Sequence, residues 1–153
     1  MGLLDKVEQV APPSDRYDCH GWVFTGGEKW INNDQVQQII DDNGYIIIPP
    51  GAVEVGDLVI YRDDEGNITH SGVVTAVDEN GQPTQIESKW GSLGRYLHGP
   101  GDVPDSYGDP EYYRSDRPNG HRLEKIVLDG ARLLLLWLLI RAIEWLLAVF
   151  YYI

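Results

Sequence analysis

The sequence predicts an α+β domain: helices near the N-terminus, a small antiparallel sheet after them, and a long apolar helix at the end. Three observations predict it. Helix caps and stops cluster before residue 45. Between residues 53 and 90 the pattern changes to strand-like runs separated by the turns DDEGN (63–67) and DENG (78–81). From 131 to 153 the chain reads ARLLLLWLLIRAIEWLLAVFYYI, apolar nearly all the way round.

The elements follow in order. Residues 3–10 suit a short helix that Pro12 and Pro13 end. Asp18 can cap a helix that starts at Cys19, runs through Trp22, Val23 and Phe24, and stops at Gly26-Gly27. Asn33 or Asp34 can cap a second helix over 35–42, with Gly44 as its stop. Strands are expected over 53–61 (VEVGDLVIY), 68–77 (ITHSGVVTAV) and 84–90 (TQIESKW). Residues 91–110, rich in Gly, Pro and Asp, read as one long loop, and loops of that length are usually functional or mobile. Further strands are expected over 111–115 and 123–127. Two regions result: a body over 1–130 and an apolar helix over 131–153.

Composition sets limits. Of 153 residues, 42% are hydrophobic and 24% charged, which is globular and not disordered. The formal net charge of −12, with no basic run, argues against nucleic acid and anionic lipid headgroups as partners. One cysteine cannot close an internal disulfide. The first fifteen residues hold no apolar stretch of signal-peptide length, so the expected location is the cytoplasm or the cytoplasmic face of a membrane. Neither acidic turn fits a calcium loop, and no His/Cys set has zinc spacing, so no metal or cofactor is expected.

The single thiol carries the chemistry. A cysteine opening a helix faces unpaired N–H groups and the positive end of the helix dipole, which favour thiolate. A base must then reach it. His20, adjacent on the helix, points about 100° away, and His98 and His121 lie in loop-like sequence. These three read as structural or surface residues. His70 sits on a strand, where a base can hold one geometry. Glu87, on the neighbouring strand, can accept the far N–H of His70 and fix its tautomer. Asn80 and Ser88 are near alternatives to Glu87, and Lys89 competes for that carboxylate. A lone cysteine is otherwise most often a small buried apolar residue.

The segments YDCHGWV (17–23), GDLVIY (56–61), THSGVV (69–74) and IESKWG (86–91) resemble, in this order, the NlpC-like and CHAP peptidases. These are compact papain-like cysteine peptidases and amidases, many of which cut peptidoglycan peptides. The resemblance covers about residues 15–91. It implies a papain-like fold with Cys19 as nucleophile, His70 as general base and Glu87 as orienter. It also gives Tyr17 a lesser active-site role. The segment 90–108, which begins at Trp90, is not part of the family's common core and is expected to line a substrate cleft or act as a lid, with Trp90 expected at the substrate. His20 departs from the serine that usually follows the cysteine. The implied substrate is a peptide or amide, with peptidoglycan stem peptides favoured. The rival expectation is a non-enzymatic binding module on the same scaffold.

The tail has three readings: a membrane anchor, a helix buried in a homo-oligomer, or an engineered addition. Arg122, Lys125 and Arg132 on the body side suit the first. Arg141 and Glu144 near mid-span oppose it, unless they pair or face a partner.

Overall fold

A computed structural model describes residues 2–124 and 130–151. The chain divides into two units, 1–123 and 124–153.

The first unit is built on seven antiparallel strands: β1 (Glu8–Ala11), β2 (Ile46–Ile48), β3 (Leu58–Arg62), β4 (Ile68–Val77), β5 (Pro83–Lys89), β6 (Arg95–His98) and β7 (Asp109–Arg114). Their order across the sheet is β1-β6-β5-β4-β3-β7-β2. Strands β3 to β6 form a meander joined by short connections, and β7 returns to the free side of β3. Two helices, α1 (Cys19–Thr25) and α2 (Asn33–Asp42), are inserted between β1 and β2.

Both faces of the sheet are covered. On one, Val23 and Phe24 of α1 and Val36 and Ile40 of α2 pack on Leu58, Ile60, Ile68 and Tyr113. On the other, Val59, Tyr61, Val74, Ile86 and Tyr112 pack with Ile48 and Val53. The central strand β3 is apolar at successive positions because it supplies both cores, with Leu58 and Ile60 toward the helices and Val59 and Tyr61 away from them.

Strand β4 contains one irregularity that matters below. Tyr61 pairs with His70, but Arg62 pairs with Ile68, so Thr69 is an extra residue. This bulge lets Ile68 and Ser71 both face the helices while His70 faces the opposite side.

The expected papain-like arrangement, with helices first and a small sheet behind them, is corrected. The sheet has seven strands, begins before α1, and gains strands from segments that carry no period-2 signal. Residues 3–10 do not form a helix. They give a 3-10 turn (Leu3–Lys6) and then β1, an edge strand with a mostly exposed face. The expected loop 91–110 contributes β6 and the start of β7, and β2 is a short run that the sequence reading passed over. Strand β3 starts at Leu58, later than expected, after a 3-10 turn (Pro50–Ala52) and a positive-φ bend at Gly56. The strand expected over 123–127 falls mostly outside the described residues.

The second unit contains the helix α3 (Gly130–Tyr151). The membrane-anchor reading of the tail, one of the three expected, is corrected: among the described residues no helix is long and apolar enough to cross a membrane. The apolar run of α3 is interrupted by Arg141 and Glu144, which form an exposed ion pair at 2.9 Å, with the Arg141 guanidinium 5.4 Å from the Trp137 ring.

Candidate functional site

Asp18 and Cys19 open α1. Asp18 is the N-cap: its Oδ1 accepts from the Gly21 amide (2.7 Å) and from the Ile31 amide (3.1 Å), tying the helix start to the segment that leads into α2. Gly21 is required here because a Cβ would lie 1.8 Å from the Lys29 carbonyl oxygen. The helix ends at Gly26, whose φ of 66° is left-handed. This local construction holds Cys19 against β4.

Cys19 and His70, 51 residues apart in the chain, line one open pocket of about 550 Å³. Trp30, Asn33, Asp34, Thr69 and Tyr107 also line it. The two expected residues are therefore at one cavity, and both are nearly buried, Cys19 at 6% and His70 at 1% exposure. His70 stacks on Tyr107 (ring centroids 4.1 Å apart) and lies 5.5 Å from the Tyr61 ring. Its Nε2 is buried without a hydrogen-bond partner. Burial, followed by the neighbouring His20 and His98, holds its pKa well below the usual histidine range, so the ring is neutral. Among the described residues no hydrogen bond joins it to the Cys19 sulfur.

The thiol differs from the expectation of a thiolate. Burial and the adjacent Asp18 charge push Cys19 up to about 12, against the lowering effect of the Ser71 hydroxyl and of the Ser71 and His20 amides. A helix of seven residues contributes too little dipole to reverse this. The resting cavity is lined by a neutral thiol and a neutral imidazole.

The structure does not bring Glu87 to His70. Gly72 pairs with Ser88 and Val73 with Glu87, so Ser88 shares the face of His70 and Glu87 projects from the other. There it meets Arg95 at 3.5 Å. The alternatives do not replace it. Ser88 hydroxyl donates to His98 Nε2 (2.7 Å) and accepts from the Trp90 indole (3.0 Å), and Asn80 sits in the 78–81 turn with its amide donating to Asp78. Tyr17 and Trp90 do not line the pocket. Tyr17 lies under the Lys89 ammonium at 5.2 Å, and Trp90 is buried against Tyr96 and His98. Lys89, buried itself, donates to the Ser14 and Gly91 carbonyls.

Sequence reasoning missed a polar chain on the helix side of β4. His20, fully buried, donates from Nε2 to Asn33 Oδ1 (3.0 Å) and accepts at Nδ1 from the Ser71 hydroxyl (2.8 Å). Burial lowers the His20 pKa, with Asp18 and Asn33 opposing. Ser71 thus touches both the sulfur and the imidazole next to it. The alternation of β4 was the available signal, since Ser71 must face α1 if His70 faces away. The ligand atoms of Asp18, Cys19 and His20 lie within 4.8 Å of one another, but Asp18 Oδ1 and both His20 nitrogens already hold hydrogen bonds.

The comparisons with known proteins add a family and no activity. No curated protein and no solved structure matches the chain. Residues 8–115 match a family described as "Domain of unknown function (DUF7689)". That span runs from β1 through β7 and contains every residue of the pocket, and on it the chain belongs to the DUF7689 family.

Proposed function

We propose that the pocket is the active site of a cysteine hydrolase acting on a peptide, amide or related acyl group. One observation carries the reading: a cysteine and a histidine from distant elements line the same cavity, and the histidine keeps a buried ring nitrogen unpaired. An unsatisfied buried nitrogen costs about 1–3 kcal/mol, and a catalytic role is one reason for a fold to keep it. The motif order that resembles the NlpC-like and CHAP enzymes supports the same assignment of roles.

In this reading the Cys19 sulfur attacks the carbonyl carbon as its proton passes to His70. The tetrahedral oxyanion is held by backbone N–H groups at the start of α1. His70 then protonates the leaving group and activates the water that releases the acyl chain. The thiolate forms during attack and not before it, because both partners rest in the neutral state. Glu87 takes no part, and the stacked Tyr107 holds the imidazole plane.

The test is acyl-enzyme formation. The full chain is mixed with p-nitrophenyl acetate and with short peptide amides, including a peptidoglycan stem peptide. The expected result is an acetyl adduct on Cys19 by peptide mass mapping, absent in Cys19→Ala and slowed about a hundredfold or more in His70→Gln. An unacylated Cys19, or acylation indifferent to His70, overturns the reading. Either result favours the second one, a binding module in which the buried, strongly protonated thiol is a packing group.

A further inference from the structure

We infer that the ligand of this pocket carries a positive charge close to the group that meets Cys19. The inference deepens the hydrolase reading and rests on it. Among the described residues, the full-charge side chains that line the cavity are Asp18 and Asp34, and no Lys or Arg lines it. Asp34 is exposed in the first turn of α2, and among the described residues it makes no ion pair. Trp30, 52% exposed, lines the same wall and offers an aromatic face to a cation. Lys89 is a cation that acts on Cys19, but it is buried and its ammonium is occupied by the Ser14 and Gly91 carbonyls.

Acidic residues alone would not define a site. The independent observation is His70, buried in the same cavity with an unpaired Nε2. The chain's net charge of −12 adds a long-range field of the same sign. A protonated amine fits this environment: an N-terminal ammonium, a lysine-type side chain or a quaternary ammonium group. An anionic ligand would meet two lining carboxylates, with Lys89 the cation behind the wall and no cationic side chain on it.

The test uses thiol reagents of different charge on the full chain. Methanethiosulfonates bearing a trimethylammonium group, a sulfonate or a bare methyl group each transfer a thioalkyl group to Cys19. The sulfur forms the new S–S bond, methanesulfinate leaves, and the thiol proton goes to solvent. Rates are read by mass spectrometry and divided by the rate with glutathione. The cationic reagent is expected to exceed the anionic one by about tenfold after this normalisation. Asp34→Asn and 0.5 M salt should each bring that ratio toward one.

A normalised ratio near one in the wild-type chain, with the neutral reagent still labelling Cys19, overturns this inference and leaves the hydrolase reading standing. Failure of all three reagents to label folded Cys19 removes the thiol from the pocket, and both proposals fall together. A ratio that stays high in Asp34→Asn and in Trp30→Ala assigns the preference to the global field and overturns the site.

Discussion

His70 and Glu87 leave adjacent strands on opposite faces of the sheet, His70 against Tyr107 and Glu87 against Arg95. The carboxylate therefore cannot orient the imidazole. Glu87→Gln is expected to change Cys19 acylation by less than about twofold. It should cost roughly 0.2–1 kcal/mol of stability, as for a partly exposed ion pair. Parallel acylation rates and urea midpoints check this, and a large loss of acylation at unchanged stability contradicts the face assignment.

The pairing of two strands was legible in the sequence, but their phase was not. The DENG turn correctly joined β4 to β5, and the Asp18 cap, α1, α2 and the ten residues of β4 were all expected near their observed bounds. What failed depended on parity. Gly72 pairs with Ser88 and Val73 with Glu87, so Glu87 sits one residue out of phase with His70, and a one-residue difference in phase puts a side chain on the other face. Edge strands failed for a different reason. β1 has no buried alternation to announce it and is recruited by pairing with β6. The pocket suffered likewise, because Trp30 and Tyr107 come from irregular segments whose placement is set by tertiary packing.

All four histidines have pKa values lowered in the fold, with burial the leading cause in each case. Unfolding restores them to about 6.5, so the unfolded chain binds more protons below that pH. Their contribution to stability is complete above about pH 6.5 and is lost as the pH falls through the folded values. Tm should be flat from about pH 8 to 7 and fall from about pH 6.5 to 5. His70→Gln should make the decline shallower. A Tm that rises on acidification to pH 5 would contradict the buried neutral rings.

Ser71, on β4, links that strand to His20 of α1 in the polar chain. Ser71→Ala removes the donor to His20 Nδ1 and leaves that nitrogen buried and unpaired. The expected cost is about 1–3 kcal/mol, measured by chemical denaturation. It should also raise the His20 pKa deficit little, since burial remains, which a histidine-resolved NMR titration can follow. Ser71→Thr, which keeps the hydroxyl, should recover part of the loss.

Asp57, within the GDLV segment, has a structural task. It is buried and accepts from Arg114 Nε (2.7 Å) and Nη2 (2.8 Å), and from the Glu54 amide (2.8 Å). It thereby fixes the entry to β3 against β7. Asp57→Asn should cost about 1.5–3 kcal/mol by urea denaturation. The pocket lining lies elsewhere, so the charge preference of Cys19 labelling should persist in the variant that remains folded.

The extra residue at Thr69 makes the site sensitive to length more than to identity. Its single hydroxyl proton is shared between the Tyr61 and Tyr107 carbonyls, so the bulge is stitched to the strand beside it and to the segment that ends at Tyr107. Point changes along β4 alter one contact at a time. A single deletion there would rephase the strand, exchanging the environments of His70 and Ser71 in one step. Across related chains, insertions and deletions should consequently be screened out of this strand far more strictly than from the turns that flank it.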